Sequence, residues 1–144
     1  MKDNRVFVDT NIFIYASLEE NRKSDLKADK RNKSITLLQS ISDKDVYINT
    51  QVLNEIYSVL LRHGINEKEI HNKLSIIIKE TKVSVIRLKT IKYCWDMRLK
   101  YKYSYWDCLI LTSALENDCT VIYSEDMQHN QMIEQTLRIT NPFV

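Results

Sequence analysis

The chain has 144 residues, of which 44% are hydrophobic and 28% are charged, and its formal net charge is +2 at pH 7. This length predicts a single domain over residues 1–144 with a substantial core. The small net charge does not by itself indicate a polyanionic partner. The apolar run near the N-terminus is too short for a signal peptide or a membrane span.

Five short apolar runs, rich in β-branched residues, predict strands at 5–9, 46–49, 83–88, 119–123 and 137–140. Between them, a helical rhythm predicts helices from about residue 50 to Gly64 and over 66–80, 89–102 and 104–117. The segment 19–33 is either a solvated loop or the polar start of a helix that ends near Ser42. Because short strands alternate with helices, we predict an α/β sandwich with a mainly parallel sheet covered on both faces.

The three cysteines form an odd set without a C-x-x-C pair, and each lies among apolar neighbours: Cys94, Cys108 and Cys119. This pattern is typical neither of a disulfide framework nor of a thiolate zinc site. We therefore expect a reduced, cytoplasmic protein without membrane association.

Asp9 lies at the carboxyl end of the first predicted strand. In open parallel sheets, ligands bind beyond the carboxyl ends of the strands, so this position favours a functional acid. The structural alternative is that Asp9 caps the next helix, whose apolar face begins with Ile12, Phe13 and Ala16. The sequence leaves both alternatives open.

A second acid, Asp107, interrupts the apolar face of the helix predicted over 104–117. The structural alternative is a capping box, in which Ser104 at the N-cap and Asp107 three residues later satisfy backbone N–H groups. Glu or Gln is the usual residue at that later position, so the match is partial. The pattern therefore favours a functional acid.

Two further acidic positions are ambiguous on their own. Glu55 flanks the core face of the helix predicted from about residue 50, where surface glutamates are common. Glu125 and Asp126 follow the strand predicted at 119–123, where together with Ser124 they either cap a following helix or face a site.

Taken together, the four acidic positions indicate a metal site. Carboxylates that are gathered at one point repel each other, so some of them protonate unless a cation neutralises the group. No histidine or cysteine lies beside them in sequence, and oxygen-only ligands suit Mg²⁺ or Mn²⁺ rather than zinc. Magnesium commonly binds through few carboxylates plus substrate phosphate, so the pattern predicts chemistry on phosphate esters.

Four short motifs follow one another along the chain: VDTN (8–11), NE (54–55), SYWDCLI (104–110) and SED (124–126). After them, the last predicted strand runs into NPF (141–143). In their order and setting they resemble the acidic motifs of the PIN domain, and within it those of the VapC-type toxins of bacterial toxin-antitoxin pairs. The resemblance implies a PIN-like three-layer α/β fold with about five strands, metal-dependent RNA cleavage, a cognate antitoxin and a homodimer.

Carried over residue by residue, the resemblance implies an acidic quartet that holds one or two Mg²⁺ (or Mn²⁺) ions: Asp9, Glu55, Asp107 and Asp126. Whether Glu125 or Asp126 is the fourth acid stays open. We expect Thr10 and Asn11 to contact phosphate or to order water near the metal. Ser104 either does the same or caps its helix, and capping is the favoured alternative.

The pattern argues against two other classes of protein. A haloacid-dehalogenase phosphatase needs a second Asp two residues after the first, where this chain has Asn11. A receiver domain needs an Asp at the end of the third strand and a later strand-terminal Lys, an order that the segment 83–89 does not supply. The alternative that stays open is a PIN-like scaffold that binds RNA or a partner without cleavage.

Contacts with RNA are less defined. Basic side chains within 22–33 and 89–102 either follow a phosphate backbone or lie on a solvated surface. Three tyrosines near Asp107 either stack on bases or pack at the helix edge: Tyr101, Tyr103 and Tyr105. Trp95 and Trp106 are expected to belong to the packed interior.

Overall fold

A computed structural model describes residues 4–18 and 25–144 of the chain, with side chains of the second helix described from Ala28 onward. Within these ranges the chain forms six strands: β1 (Arg5–Val8), β2 (Asp45–Asn49), β3 (Lys82–Ser84), β4 (Val121–Tyr123), β5 (Met132–Ile133) and β6 (Leu137–Thr140). It also forms six helices: α1 (Thr10–Ser17), α2 (Asp25–Ser40), α3 (Thr50–Arg62), α4 (Glu67–Glu80), α5 (Leu88–Lys100) and α6 (Tyr105–Glu116).

The strands form one sheet in the order β3-β2-β1-β4-β6-β5, and it is parallel except where β5 pairs with β6. The connections from β1 to β2 and from β2 to β3 each lead one strand farther toward the same edge of the sheet. The connection from β3 to β4 leads back past β2 and β1 to the other side of β1. Because such crossovers are right-handed, α1 to α4 lie on one face of the sheet, and α5 and α6 lie on the other. Helix α1 accordingly packs against α2 and α3, and α5 packs against α6. The predicted α/β fold with a mainly parallel sheet flanked by helices is confirmed.

Apolar side chains from the central strands and from the helices on both faces form the core. Phe7 of β1 and Ile122 of β4 are fully buried between the helical layers, as are Ile56 of α3 and Leu111 of α6. Helix α6 is buried over most of its circumference from Cys108 to Ala114. Burial on both faces explains why β1 and β4 are continuous apolar runs rather than alternating ones.

The structure differs from the predicted elements at several positions. Strand β5 has only two residues and no readable pattern, which is why it was not predicted. Strand β3 ends at Ser84 because Ile86 packs against the small cluster of Cys94, Cys108 and Leu109, away from the sheet, so the predicted strand was wrong over 85–88. From Asp25 the polar segment is helical, and residues 19–24 of the open segment 19–33 lie outside the described residues.

Gly64 ends α3, as the sequence pattern predicts. Its φ is +80°, and its N–H donates to the Leu61 carbonyl while the Ile65 N–H donates to the Leu60 carbonyl. This Schellman arrangement needs a left-handed residue, which glycine adopts without a steric penalty. The end of α3 at Arg62 is therefore set by the local sequence.

All three cysteines are buried and free. None of the helices in the described parts of the chain combines the length and the apolar character that crossing a bilayer requires.

The strand order reverses at β1, whose two neighbours β2 and β4 are reached through opposite faces of the sheet. At such a point the connections leave in opposite directions and open a crevice at the carboxyl ends of the strands. Asp9 follows β1 at this edge, and Ser124 follows β4. The topology therefore places the loops after β1 and β4 at the mouth of one crevice.

Asn49 joins the helical layers beside this crevice. Its side-chain oxygen accepts from the Val52 N–H and caps α3, and its amide donates to the Ser113 hydroxyl of α6 at 2.9 Å. Asn49 is fully buried. One side chain thus links the helix that carries Glu55 to the helix that carries Asp107.

Replacing Asn49 with Ala should lower the free energy of unfolding by about 2–4 kcal/mol, because it removes a cap and leaves the buried Ser113 hydroxyl without its donor. Urea unfolding followed by circular dichroism measures the loss. The matched control is Asn66→Ala, which removes the exposed cap of α4 and should lower stability by only about 1 kcal/mol. Equal losses for the two variants would contradict a linking role for Asn49.

Candidate functional site

Three carboxylates converge at the crevice between β1 and β4. Asp9 follows β1, Asp107 lies in the first turn of α6, and Asp126 lies in the loop after β4. One oxygen from each of the three lies within 4.8 Å of the others. They line a cavity of about 320 Å³, to which α3 contributes Glu55. Residues that lie far apart along the chain thus form one acidic centre.

Hydrogen bonds hold both oxygens of the Asp9 carboxylate. The Thr10 N–H donates to Oδ1 at 2.7 Å, and the Ser124 hydroxyl donates to Oδ2 at 2.9 Å. Asp9 is the N-cap of α1, and its own N–H donates to the Tyr123 carbonyl of β4. Asp9 therefore caps a helix and also faces the cavity, so the two alternatives left open by the sequence are compatible.

Burial controls the protonation of this centre. It raises the pKa of Asp9 from its ordinary value of 3.8 to about 7, against the lowering effect of the hydrogen bonds from Thr10 and Ser124. Repulsion from Asp126 and Glu55 raises this pKa further. Burial likewise raises the pKa of Asp107 and of Asp126, with added repulsion from other carboxylates in each case. Without a cation, the centre therefore favours bound protons.

Asp107 is half-buried at the start of α6, where the helix opens toward the cavity. Ser104 is the N-cap, and its hydroxyl accepts from the Asp107 N–H at 3.1 Å. The favoured alternative for Ser104, helix capping, is therefore confirmed. The cap fixes the first turn and so the direction in which the Asp107 carboxylate projects.

Glu55 lies on the cavity wall but outside the group of three close carboxylates. The Thr10 hydroxyl donates to its Oε1 at 2.8 Å, which joins α1 to α3 at the site. Glu55 thus lines the same cavity as the other acids but lies farther from the three carboxylates than they lie from one another.

The two acids after β4 face different partners. Asp126 joins the carboxylate group, whereas Glu125 forms an ion pair with Lys30 at 3.0 Å and accepts from the Tyr15 hydroxyl at 2.6 Å. The Asn11 amide donates to both Glu125 and Asp126, at 3.0 and 3.3 Å. The geometry therefore favours Asp126 as the fourth acid. The alternative that 124–126 caps a following helix was wrong, because an irregular loop follows these residues.

Two residues at the site were missing from the predicted set. Ser124 is buried, donates to Asp9 and accepts from the Asp126 N–H at 3.2 Å, so it connects two acids. The SED motif placed it beside acids but did not distinguish its role. Arg62 lines the cavity from the last turn of α3, and its only signal was a seven-residue spacing from Glu55.

The aromatic residues near Asp107 are arranged differently from the prediction. Trp95 and Trp106 are 54% and 61% exposed, so their predicted place in the interior was wrong. The hydroxyls of Tyr101 and Tyr103 donate to Glu134 and to Gln131, respectively. Tyr105 packs edge-on against Trp106. The hydroxyls of Tyr101 and Tyr103 thus form hydrogen bonds with other residues of the protein, at the edge of the helix.

The chain is similar to known proteins in sequence pattern and in fold. A family model described as the PIN domain matches residues 6–133. A toxin-antitoxin complex from Klebsiella pneumoniae shares 13% identity over 95% of this chain and 97% of that chain, with a TM-score of 0.69. VapBC2 from Rickettsia felis bound to a promoter DNA fragment shares 15% identity over 95% and 99%, with a TM-score of 0.67.

Mycobacterium tuberculosis VapC20, a sarcin-ricin loop cleaving toxin, shares 16% identity over 81% of this chain and 86% of that chain, with a TM-score of 0.62. At such identities, the structural likeness shows a common fold. A search of curated protein sequences found no match.

The raised pKa of Asp9 predicts how the stability of the metal-free protein depends on pH. Between about pH 4 and 7 the folded protein keeps a proton that the unfolded chain has released, so stability falls as pH rises through this window. Asp9→Asn cannot ionise and keeps an acceptor for the Thr10 N–H. In EDTA at pH 8 it should therefore be more stable than wild type, by up to roughly 4 kcal/mol.

Urea unfolding in EDTA at pH 4.5, 6 and 8 measures the stability difference between the two proteins, which should approach zero at the lowest pH. The control is Asp96→Asn, which changes an exposed acid on α5. If the stability difference between Asp9→Asn and wild type were the same at all three pH values, the pKa of Asp9 would not be raised.

Proposed function

Because the chain belongs to the PIN domain family, we propose that it is a metal-dependent endoribonuclease that hydrolyses RNA phosphodiester bonds as the toxin of a toxin-antitoxin pair. One observation carries the proposal: Asp9, Asp107 and Asp126 present oxygens within 4.8 Å of one another at the mouth of a cavity. In this proposal the whole chain, residues 1–144, acts as one PIN-like domain.

The donor set fits a hard divalent cation. All three close donors are carboxylate oxygens, and burial with mutual repulsion disfavours their charged forms. A divalent cation reverses that balance, and oxygen donors with an open side toward solvent suit Mg²⁺ or Mn²⁺. Asp9, Asp107 and Asp126 would hold the cation directly, and Glu55 would act directly or through water.

When bound, such a cation supplies charge neutralisation, binding of a phosphate oxygen and a lowered pKa for coordinated water. The residues of the chain supply the positioning. Ser124 and the Thr10 N–H orient Asp9, the Thr10 hydroxyl orients Glu55, and the Asn11 amide orients Asp126. The site is thus arranged before substrate arrives, which favours catalysis because reorganisation is avoided.

Thr10, Asn11 and Ser104 remain proposed substrate-binding residues. Thr10 and Asn11 line the cavity, so a phosphate beside the carboxylates would lie within their reach. Their hydrogen bonds to Glu55 and Asp126 support a positioning role in addition. Ser104 lies one helical turn from Asp107, and its capping hydroxyl supports the position of that acid first.

We propose a cognate antitoxin as protein partner, a homodimer as the assembly and the cytoplasm as the location. Similar folds occur in structures described as a toxin-antitoxin complex and as VapBC2 on promoter DNA, which supports the antitoxin. The helix over 74–80 leaves Ile76 and Ile78 57% and 49% exposed, which supports a self-contact. Three buried free cysteines are compatible with a reducing compartment.

Asp107→Asn should lower the rate of RNA cleavage at least about 100-fold while preserving the fold, because it removes a metal-binding charge without changing the side-chain volume. Purified proteins are incubated with a panel of structured RNAs in Mg²⁺ or Mn²⁺, and products are resolved on denaturing gels. EDTA should stop the wild-type reaction. Asp96→Asn makes the same chemical change at an exposed position of α5 and should cleave like wild type.

Wild-type cleavage by purified Asp107→Asn would rule out this assignment. RNA binding without metal-dependent scission by the wild type would instead favour the PIN-like scaffold. Chemical shifts or circular dichroism of Asp107→Asn, matched to wild type, separate lost chemistry from lost folding.

In cells, expression of wild type should arrest growth and degrade specific RNAs, whereas Asp9→Asn should do neither. Growth curves and RNA integrity measured after induction compare the two at matched protein levels. Equal toxicity would remove the nuclease-toxin proposal, because Asp9 is central to the carboxylate group.

A further inference from the structure

Helix α3 presents a polar stripe to the cavity. Glu55, Ser58 and Arg62 are spaced three and four residues apart, which places them on one helix face, and all three line the cavity. From Glu55 to Arg62 the helix advances about 10 Å along its axis. The stripe therefore runs along the cavity from Glu55 toward the C-terminal end of α3 and changes from negative to positive charge.

Arg62 has no hydrogen bond or ion pair with any residue in 4–18 or 25–144, and its side chain is exposed. Three of the lysines that the sequence suggested for RNA contact form ion pairs. Lys30 pairs with Glu125, Lys33 with Asp29, and Lys100 with Glu134. Among these cations, Arg62 is the one that both lines the acidic cavity and keeps its donors available.

The position of Arg62 is set by the backbone. It is the last residue of α3, directly before the Schellman arrangement that ends at Ile65. Side chains on a helix project back toward its N-terminus, so the Arg62 side chain starts out toward the turn that carries Ser58. Its Cα is thus fixed while its charged end stays adjustable.

Arg62 does not neutralise the nearby carboxyl of Asp107. Within residues 4–18 and 25–144, Arg62 forms no ion pair with Asp107 or Glu55, although all three side chains line the same cavity. A cation that lines an acidic cavity without pairing to its acids is available for a separate anion. A guanidinium binds phosphate oxygens through two parallel N–H donors, which makes phosphate the matching ligand.

We propose that Arg62, with the Ser58 hydroxyl beside it, binds a backbone phosphate of the RNA adjacent to the scissile one and so positions the strand across the carboxylates. This inference rests on the proposed nuclease function. The acidic centre repels a polyanion, and a cation at the far end of the same cavity offsets that repulsion where the strand enters. Contacts with the RNA strand outside the scissile phosphate then hold the reacting phosphate in place.

The test measures binding of a fluorescein-labelled single-stranded RNA of mixed sequence by fluorescence anisotropy in Ca²⁺, at several NaCl concentrations. Arg62→Gln should raise the Kd about tenfold, and the slope of log Kd against log[NaCl] should fall by about 0.7, as expected for one lost phosphate contact on a single strand. Arg62→Lys should keep the slope and recover part of the affinity, because it keeps the charge but not the paired donors.

The matched control is Lys79→Gln, which removes one exposed positive charge on α4 outside the cavity lining and should bind within about twofold of wild type. In the Mg²⁺ cleavage assay, Arg62→Gln should raise KM more than it lowers kcat. Binding of Arg62→Gln equal to that of Lys79→Gln, or no binding of the RNA by wild type, overturns the inference.

The two proposals fail in different ways. If wild type cleaves RNA in Mg²⁺ and Arg62→Gln shows unchanged Kd, salt slope and KM, only the role of Arg62 is overturned. If wild type binds RNA through Arg62 but never cleaves in any divalent metal, the nuclease function is overturned instead.

Discussion

Mutual repulsion among closely placed carboxylates is the constraint on which this structure depends. Asp9, Asp107 and Asp126 come from three separate elements, yet they present oxygens to one point at the edge of the sheet. Removal from water raises the pKa of each, and repulsion from neighbouring carboxylates adds to that effect. The folded chain therefore keeps an unfavourable charge arrangement that a bound cation would relieve. The fold is linked to its proposed chemistry in this way, because the desolvation that destabilises the unpaired carboxylates also strengthens their attraction for a cation.

Small polar side chains maintain that arrangement. Ser124 links Asp9 to the backbone of Asp126, Thr10 links the backbone of α1 to Glu55, and Asn11 reaches the acids after β4. Lys30 compensates Glu125 so that this second acid does not add an unpaired charge beside Asp126. Asp9, Glu55 and Asp126 are thus oriented by donors, whereas Arg62 on the same cavity has no hydrogen bond or ion pair within residues 4–18 and 25–144. Lys30 is thus paired with an acid beside the site, whereas Arg62 on the cavity wall is not paired within the described residues.

Much of the fold was predictable from local sequence. The strands β1, β2, β4 and β6 are short apolar runs, and the helices α3 to α6 follow as longer helix-like stretches. This alternation predicts a mainly parallel sheet with helical crossovers. Strand β5 was too short to leave a pattern, and β3 ended early because Ile86 found apolar partners outside the sheet. Trp95 and Trp106 are exposed although their residue type suggests burial, since the helices that carry them bury other faces. Periodicity identifies a buried face only when the partner surface is known.

By itself, the sequence determined that Asp9 stands at a strand end, that Asp107 opens an apolar helix, and that α3 stops at Gly64, because each follows from interactions among neighbours in the chain. Only the tertiary structure placed Asp126 rather than Glu125 beside the other carboxylates, held Glu55 farther away and put Ser124 and Arg62 at the cavity. Those outcomes depend on contacts such as Ser124 with Asp9, which are 115 residues apart. Local propensity contains no information about such pairs, since their distance is set by strand order and by the packing of helices across the sheet.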